Sequence, residues 1–240
     1  MTLVFEGKTI QLLPGETVLG GIERQGGEVP FFCRRGVCQA CVLRATKGNV
    51  PALAQKGLRE AHRRQAYFLS CVCQPSEDLE VERCGMSERV ASRIESVEPL
   101  SGDVLRVRLA VPDGFSYSAG QYVQLERADG LMRPYSIASL PGAAIELHVA
   151  RLPGGAMSGW LAGAVGEPIG IRGPYGECSY VDDELDRPLL LAGTGTGLAP
   201  LIGVVRAALA AGHRAAIRLY HGSPARAGLY LWRELEQLAA

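Results

Sequence analysis

The sequence predicts three modules of different fold class: a small α+β module, an antiparallel β-barrel and a partial parallel α/β unit. Three observations support this expectation. Spaced cysteines occupy the first third of the 240-residue chain, and apolar alternation with a period of two dominates the middle. Near residue 190 a strand pattern leads into a glycine-rich turn and an Ala/Leu-rich helix. We expect the modules at residues 1–84, 88–186 and 187–240.

The first module begins with a β-hairpin signal. Apolar runs at residues 3–5 and 9–12 flank Glu6-Gly7-Lys8, a pattern typical of a tight turn. Thr17 can cap a short helix that ends at Gly26-Gly27. We further predict strands at residues 42–45 and 79–82 and a helix at residues 58–65. Together these elements form a small mixed sheet.

The cysteines of this module carry the strongest chemical signal. Cys33, Cys38 and Cys41, with a distant Cys71, have the C-x4-C-x2-C…C spacing of a plant-type 2Fe–2S site. Each iron of such a cluster takes two thiolates, so three ligands must share one loop and the fourth must come from another segment. Gly36 suits a loop whose backbone N–H groups approach the sulfur atoms. The spacing therefore predicts electron transfer.

Two other uses of the thiols can be compared with this prediction. A tetrahedral zinc site, and with it a zinc-stabilised binding module, could be drawn from Cys38, Cys41, Cys71 and Cys73. The five-residue step from the first cysteine to the second is unusual for a zinc knuckle. A disulfide framework is disfavoured, because the chain has 7 cysteines and no secretory segment.

The second module is predicted from alternating strands separated by Gly and Pro, at residues 104–109, 121–125, 145–149 and 168–172. Such a series is typical of an antiparallel barrel. Within it, Arg133-Pro134-Tyr135-Ser136 offers a cation for a phosphate, an aromatic ring for a flavin and a hydroxyl to hydrogen-bond near the flavin N5. The same four residues are equally suited to beginning a strand.

The third module contains an anion-site signal. A buried strand at residues 188–192 precedes Gly193-Thr194-Gly195-Thr196-Gly197, and Pro200 follows in the first turn of a helix. A second strand is predicted at residues 216–221. Because a doubly wound nucleotide domain normally needs about four to six strands, we expect this module to be partial. It is either a fragment or a fold that another chain completes.

The charge balance and the apolar patterning restrict the partners. Lys and Arg number 25, and Asp and Glu also number 25, so the net charge gives no indication of nucleic acid or an anionic membrane. Glu6 and Lys8 interrupt the first apolar run, which argues against a signal peptide. The Gly, Thr and Pro residues within 189–205 argue against a membrane span. We expect a cytoplasmic protein.

Residues 2–82 resemble a plant-type ferredoxin domain with the β-grasp fold, and the segment from Cys33 to Cys41 carries the resemblance. In that family the fourth cysteine lies four residues before a proline, which here implies Cys71 rather than Cys73. The family places Gly after the second cysteine, where this chain has Gln39. We therefore expect a local change in loop geometry at that position.

The middle module resembles the FAD-binding barrel of the ferredoxin–NADP⁺ reductase superfamily. Four segments occur in the family's order: Ala119-Gly120-Gln121-Tyr122, Arg133-Pro134-Tyr135-Ser136, Gly154-Gly155-Ala156-Met157-Ser158 and Gly173-Pro174-Tyr175-Gly176. The resemblance implies that FAD is bound by Arg133, Tyr135, Ser136, His148, Val149, Gly155, Met157 and Ser158. The last three would act at the pyrophosphate through backbone amides. For the imidazole of the histidine, an ordinary strand position is equally expected.

The turn from Gly193 to Pro200 resembles the family's nicotinamide-binding turn. This implies NAD(P)H contacts at Gly193, Thr194, Gly195 and Thr196. Two of the residues, Ser136 near the flavin N5 and Thr194 near the nicotinamide, are the expected catalytic ones.

The order of the three modules is that of the reductase components of bacterial oxygenases and of the CDP-6-deoxyhexose reductase group. The resemblance implies an oxidoreductase that passes electrons from NAD(P)H through FAD to a 2Fe–2S cluster. The cluster would serve a terminal oxygenase or another iron-containing acceptor protein. The alternative is a non-catalytic iron–sulfur carrier whose shortened third module cannot oxidise NAD(P)H.

Arginines flank the predicted cluster loop, at Arg34, Arg35, Arg59, Arg63 and Arg64. They suggest a basic rim that would meet an acidic docking face on the acceptor. Scattered, solvated arginines are an equally open interpretation.

Overall fold

The computed structural model describes residues 1–31, 33–58, 60–83, 89–142, 144–181 and 185–239. The chain forms two compact units, Met1–Ser87 and Glu88–Ala240. The expected boundary at residues 84–88, including Cys84, lies outside the described residues. The expected boundary at residues 186–187 falls within the second unit, so the proposed three-way division stays a prediction.

The first unit is a mixed sheet with short helices. Its elements are β1 (Thr2–Phe5), β2 (Lys8–Gln11), α1 (Val18–Arg24), β3 (Val42–Lys47), a 3₁₀ turn (Ala52–Gln55), α2 (Glu60–Arg64), β4 (Tyr67–Leu69) and β5 (Leu79–Arg83). The strand order is β2-β1-β5-β3-β4, and only the β1–β5 pair is parallel. The predicted hairpin and the α+β class are confirmed.

Two local predictions for the first unit are also confirmed. Glu6 and Gly7 both have positive φ angles, 50° and 74°, which is the backbone that a tight hairpin turn needs. The Thr17 hydroxyl accepts a hydrogen bond from Gly20 N at 3.1 Å and caps α1. The apolar faces of α1 and the sheet, including Ile22, Leu43 and Phe68, form one buried core.

The second unit begins with a six-stranded antiparallel sheet. Its elements are β6 (Val90–Pro99), β7 (Val104–Ala110), β8 (Tyr122–Glu126), β9 (Met132–Ser136), β10 (Ala144–Ala150), α3 (Ala156–Leu161) and β11 (Pro168–Tyr175). The order is β10-β7-β6-β11-β8-β9. A bridge between Ile137 and Leu147 brings the two edges together, which closes the sheet into the predicted barrel.

The remainder of the second unit is a parallel α/β portion. It comprises β12 (Leu189–Thr194), a 3₁₀ turn (Gly195–Gly197), α4 (Leu198–Ala210), β13 (Ile217–Gly222), a second 3₁₀ turn (Arg226–Gly228) and α5 (Trp232–Ala239). The two strands are parallel, as predicted, and pair from Leu189–Ile217 to Thr194–Gly222. None of the described helices combines the length and the apolar run needed to cross a bilayer.

Helix α4 packs directly on the barrel backbone through a glycine contact. A Cβ at Gly203 would lie 2.8 Å from Gly120 N and 2.9 Å from Ile137 O. A Cβ at Gly120 would in turn lie 3.1 Å from Pro200 O, and its φ is +92°. Only glycine permits this approach. The contact places the beginning of α4, and the turn before it, beside the end of β9.

We predict that Gly203→Ala lowers the free energy of unfolding by about 1–3 kcal/mol, because the new methyl group meets backbone that cannot move aside. Gly159→Ala is the matched control: that glycine also lies in a helix, and its Cβ would meet nothing within 4 Å. The control should gain about 0.5–1 kcal/mol from helix propensity. Chemical denaturation of both variants provides the measurement. Equal stabilities would contradict the close contact.

Candidate functional site

The predicted cluster ligands converge at one end of the first unit. Cys33, Cys38 and Cys41 lie on the loop between α1 and β3, and Cys71 follows β4. The two segments are joined by Ser70, whose hydroxyl donates to Cys41 O at 2.7 Å and whose N–H donates to the same oxygen at 3.1 Å. The tight loop and the distant segment required by the spacing are therefore brought together.

The four thiols are arranged as two pairs. Cys33 and Cys38 interact with one another, as do Cys41 and Cys71. The first pair is partly exposed and the second is buried. Among the described residues, no three Cys, His or carboxylate side chains form a group that could hold a single metal ion. Two thiolates for each of two irons is the arrangement that a 2Fe–2S cluster requires, so the donor set fits that group.

The backbone of the loop is shaped around the first sulfur atom. The N–H groups of Arg35, Val37 and Cys38 donate to Cys33 Sγ at 3.3, 3.4 and 3.4 Å. Burial alone would raise the pKa of Cys33, but these three amides outweigh burial and lower the pKa to about 6. The loop is thus built to stabilise a thiolate.

Gln39 has a left-handed backbone conformation, which glycine adopts without steric cost. Its φ is +57°, so the residue after the second cysteine is left-handed even though it carries a side chain. That side chain donates from Nε2 to Gly57 O at 3.0 Å and ties the loop to the turn after the 3₁₀ segment. The local change expected at this position is therefore an added hydrogen bond on a left-handed backbone.

Cys73 is separated from the paired thiols. It is fully buried in the core of the first unit, and burial raises its pKa to about 12. Its carbonyl accepts a hydrogen bond from Val18 N at 2.8 Å, which fixes the segment against α1. The thiol that lies beside Cys41 is Cys71.

The predicted flavin segment forms β9 at the closing edge of the barrel. Arg133 is exposed, and Tyr135 is half-buried against the barrel core. Because side chains alternate along a strand, these two residues share a face, and Ser136 lies at the strand end on the other face. Burial raises the pKa of Tyr135 to about 12, so its phenol is neutral. The exposed cation and the ring are available to a ligand at this edge.

The Gly154-Gly155 turn begins α3 and depends on glycine. A Cβ at Gly155 would collide with the Ser158 hydroxyl and would lie 3.0 Å from Leu152 O. The Ser158 hydroxyl accepts from Leu152 N at 3.2 Å, and both Met157 and Ser158 are buried. The Ser158 side chain therefore holds the turn together and the Met157 side chain packs in the barrel core, which leaves the backbone of both residues for a cofactor. The turn borders a cavity of about 390 Å³ that also includes Asp103, Arg151 and Gly159.

His148 and Val149 both point into the protein. Val149 belongs to the barrel core. The His148 ring is buried, with Nε2 3.1 Å from Glu146 Oε1 and Nδ1 3.2 Å from the Tyr230 hydroxyl. A carboxylate only accepts, so Nε2 carries the hydrogen and Nδ1 accepts from Tyr230. Burial lowers the pKa of His148, in agreement with a neutral ring. Both ring nitrogens of this histidine thus have protein partners, and its place in the flavin site stays a prediction.

The backbone of His148 has a different environment from its ring. Glu146 N and Glu146 O bond outward to Ser139 Oγ and Ala138 N at 2.9 and 2.8 Å. Residues two apart in a strand direct their polar groups to the same side. The N–H and C=O of His148 thus lie on the edge of β10 that the Ile137–Leu147 bridge joins to the end of β9, just before the glycine turn.

Glu146 is the centre of a buried ionic network that the sequence patterns did not reveal. Its carboxylate lies 3.1 Å from Arg206 Nη1 of α4 and 3.4 Å from Arg106 Nε of β7. Both arginines also pair with Glu234 of α5. Burial would raise the pKa of Glu146, but His148 and the two arginines lower it to about 2. The network joins the barrel to both helices of the α/β portion.

The glycine-rich turn is fixed by close packing and by His221. A Cβ at Gly193 would lie 2.9 Å from Leu201 Cδ1, and Gly195 has a φ of +52°. Gly195 O accepts from His221 Nε2 at 3.0 Å. Thr194 is exposed, and Thr196 is half-buried. The turn therefore presents threonine hydroxyls on a braced backbone.

His221 and Tyr230 were also missed by the sequence patterns. The Tyr230 ring lies between two imidazoles, 5.4 Å from that of His221 and 5.3 Å from that of His148. It thereby connects the glycine turn to the barrel network. The position of His221 at the carboxyl end of β13 was the available signal, because the carboxyl ends of parallel strands meet at one edge of a sheet.

Three family models match consecutive parts of the chain. A 2Fe-2S iron-sulfur cluster binding domain matches residues 4–76, an oxidoreductase FAD-binding domain matches residues 91–180, and an oxidoreductase NAD-binding domain matches residues 191–240. The first match replaces the zinc alternative with a 2Fe–2S cluster. The second and third confirm the flavin and nicotinamide modules.

Characterised relatives match almost the whole chain. The reductase subunit of an aromatic O-demethylase from Amycolatopsis is 34% identical over 93% of this chain and 72% of its own length. The reductase component of the naphthalene 1,2-dioxygenase system from Pseudomonas putida is 30% identical over 97% of this chain and 74% of its own. The alkene monooxygenase reductase component from Xanthobacter autotrophicus is 32% identical over 98% of this chain and 76% of its own length.

Solved structures agree with these relatives. A cytochrome P450 reductase from Amycolatopsis superposes with a TM-score of 0.64 at 31% identity, covering 99% of this chain and 77% of that one. The ferredoxin reductase of a carbazole 1,9a-dioxygenase shares the fold. Its TM-score is 0.62 at 23% identity, and the match covers 98% of this chain and 75% of that one. The chain spans about three quarters of the length of these proteins.

We predict that Cys41→Ala abolishes the visible absorption of the cluster and destabilises the first unit, because coordination contributes to its folding free energy. Cys73→Ala is the matched control. It should keep the absorption and should lose only about 1 kcal/mol from the small cavity it leaves. Both variants are compared by spectrum and iron content after anaerobic reconstitution. Loss of the cluster in the Cys73 variant alone would show that the wrong thiol has been assigned.

We predict that Glu146→Gln lowers the stability at pH 7 by about 1.5–3 kcal/mol, because charge-assisted hydrogen bonds are lost. The folded pKa is about 2, below the ordinary value of 4.5, so the carboxylate stabilises the fold above pH 4.5. This contribution is lost as the pH falls toward 2. The difference between wild type and variant should shrink over that range in denaturation curves.

The control for that prediction is Glu98→Gln. Glu98 pairs with Arg108 at 2.9 Å, but about half of its side chain is exposed. An exposed pair contributes at most about 1 kcal/mol. A pH-independent effect at Glu146, or an equal effect at both positions, would refute the ionised buried centre.

Proposed function

The chain belongs to the ferredoxin reductase family in which a 2Fe–2S domain precedes FAD-binding and NAD-binding domains, and we propose how its residues serve that family's reaction. It is a reductase component that transfers electrons from NAD(P)H through FAD and a 2Fe–2S cluster to an oxygenase. The observation that carries this function is the succession of the three matches along one chain. The NAD-binding match at residues 191–240 favours the reductase over the non-catalytic carrier.

The cofactors supply the redox chemistry: the nicotinamide gives two electrons as a hydride, FAD accepts the pair, and the cluster passes electrons on one at a time. The protein supplies binding and orientation. Cys33, Cys38, Cys41 and Cys71 are the proposed iron ligands, and their pairing in the structure supports this assignment.

At the flavin, Arg133 is proposed to bind a phosphate through its exposed guanidinium. Tyr135 would offer a ring face to the flavin, and Ser136 would offer a hydroxyl for a hydrogen bond near N5. The backbone of His148, Gly155, Met157 and Ser158 completes the proposed site. The burial of the last two side chains is consistent with this backbone role. A direct role for the Val149 side chain is not supported, since it lies in the barrel core.

At the nicotinamide, the proposed contacts are Gly193, Thr194, Gly195 and Thr196. The bracing of Gly195 O by His221 supports a turn that keeps its shape when a dinucleotide binds. The close approach of Gly203 in α4 to Ile137 O, the residue after Ser136, supports a turn that lies near Ser136. Ser136 and Thr194 remain the proposed residues beside the reacting atoms.

The partner is an oxygenase system. We propose that the protein that accepts the electrons is a terminal oxygenase or another iron-containing protein. The assignment rests on the similarity to reductase components of oxygenases. The cytoplasmic location expected from the sequence stays a prediction.

The function is tested anaerobically with protein reconstituted with FAD, iron and sulfide. NADH or NADPH should bleach the visible absorption of both flavin and cluster, and the better donor defines the nicotinamide preference. Dithionite sets the full extent of bleaching. A protein that dithionite bleaches but neither nicotinamide reduces would be a carrier.

We predict that Arg133→Ala weakens FAD binding by about tenfold or more, because a charge-assisted hydrogen bond contributes about 1.5–3 kcal/mol. The cluster absorption should not change. Arg93→Ala is the matched control, since Arg93 is an exposed arginine on β6 of the same barrel. Fluorescence titration of the apoprotein with FAD measures both. Normal affinity in the Arg133 variant would rule out its phosphate role.

A further inference from the structure

A groove of about 550 Å³ opens beside the cluster loop of the first unit. One wall is the loop itself, at Arg35, Gly36 and Val37, between the ligand cysteines. The opposite wall is the 3₁₀ turn and the residues after it, at Leu53 and Lys56. A protein seated in the groove would therefore touch the loop that carries the partly exposed thiol pair.

Two large apolar side chains of the groove are exposed to solvent. Val37 is 75% exposed and Leu53 is 69% exposed, and both line the groove. The backbone at Val37 is held by a hydrogen bond, since Val37 N donates to Cys33 Sγ at 3.4 Å. The two walls are tied to one another by the hydrogen bond from Gln39 to Gly57 O, 3.0 Å long. The groove is thus preformed, which reduces the ordering cost of binding.

The charge of the groove is positive. Arg35 and Lys56 line it, and within the described part of the chain neither forms an ion pair. No carboxylate is among the lining residues that the structure describes. A preformed apolar groove with two uncompensated cations is complementary to an apolar side chain surrounded by carboxylates.

The arginine rim suggested by the sequence is partly neutralised by two carboxylates outside the groove, Glu23 and Glu60. Arg34 pairs with Glu23 at 2.7 Å. Arg63 and Arg64 pair with Glu60 at 3.0 and 3.2 Å. Arg59 lies outside the described residues. Arg63 and Arg64 share one carboxylate, so part of their charge also remains. The positive charge that lines the groove itself is at Arg35, together with Lys56, which the sequence patterns did not single out.

We infer that this groove is the docking site of the electron-acceptor protein, whose matching face carries carboxylates around an apolar side chain. The inference rests on the proposed function, in which the cluster is the point of electron exit. Val37 and Leu53 supply the apolar contacts, and Arg35 and Lys56 steer and orient the acidic partner. An interface of this kind is transient, as electron-transfer encounters generally are.

The test compares two probe acceptors of opposite charge, the acidic haem protein cytochrome b5 and the basic haem protein cytochrome c. At low ionic strength, wild-type protein should reduce the acidic probe faster, and added salt should slow that reaction. Arg35→Glu/Lys56→Glu should slow reduction of the acidic probe by tenfold or more and should speed reduction of the basic one. Leu53→Gln should raise the KM for the acidic probe several-fold and leave its salt dependence unchanged.

The charge-matched control is Lys8→Glu/Lys47→Glu, which places the same reversal on exposed positions of β2 and β3. It should change either rate by less than twofold. Equal effects of the two double variants, no effect at the groove, or a wild-type preference for the basic probe would overturn the inference. Anaerobic bleaching of the cluster by NAD(P)H is measured in every variant. Its absence in wild type would count against the proposed function, whereas normal bleaching with unchanged probe rates counts against the docking site alone.

Discussion

The second unit depends on one buried carboxylate. Glu146 projects from a barrel strand, and its two arginine partners come from the barrel, at Arg106, and from α4, at Arg206. An ionised group out of water is tolerable only while such partners stay in place. The helix therefore cannot shift without uncovering a charge. Because the glycine-rich turn directly precedes α4, the same constraint fixes the turn relative to the end of β9. A hydride must cross between the groups that these two elements are proposed to hold, and small errors in distance are costly for such a step.

The first unit has a different constraint, the conformation of the cysteine loop. Arg34 and Gln39 have φ angles of 49° and 57°, a region that costs non-glycine residues about 1 kcal/mol or more each. The cost is offset where the loop directs three amides at Cys33 and where Gln39 bonds to Gly57 O. The backbone strain of the loop is thus offset by hydrogen bonds to Cys33 Sγ and by the hydrogen bond that joins the two walls of the groove. The loop has this shape even though Arg34 and Gln39, two of its left-handed positions, are not glycine.

The sequence predicted features whose cause is local. Cysteine spacing, the hairpin turn, the Thr17 cap and the glycine-rich turn each follow from a few neighbouring residues. Strand β6 was not predicted, because Ser, Arg and Glu occupy much of it and only Ile94 is fully buried. Gly203 gives no signal at all within a helix, since its reason is the barrel backbone opposite.

The sequence patterns also missed the ionic network around Glu146, because its members are distant along the chain. Its members are separated by about forty to sixty residues, from Arg106 through Glu146 to Arg206. Single-sequence periodicity contains no information about such distant pairs. Likewise, the arginine rim looked uniform in the sequence, and only the positions of Glu23 and Glu60 distinguish compensated from free charge.

The exposure of the first thiol pair connects the shape of the loop to electron exit. Cys33 and Cys38 are partly exposed, whereas Cys41 is buried beside Cys71. A sulfur atom near the surface is stabilised partly by water, and a docking protein removes that water. Backbone amides remain when the water leaves, so three N–H groups on Cys33 keep its charge stabilised in both the free and the docked state. A loop organised in this way allows an acceptor to approach closely without requiring the cluster site to rearrange. For that reason, the left-handed residues that look unfavourable in isolation belong to the part of the protein where electrons leave.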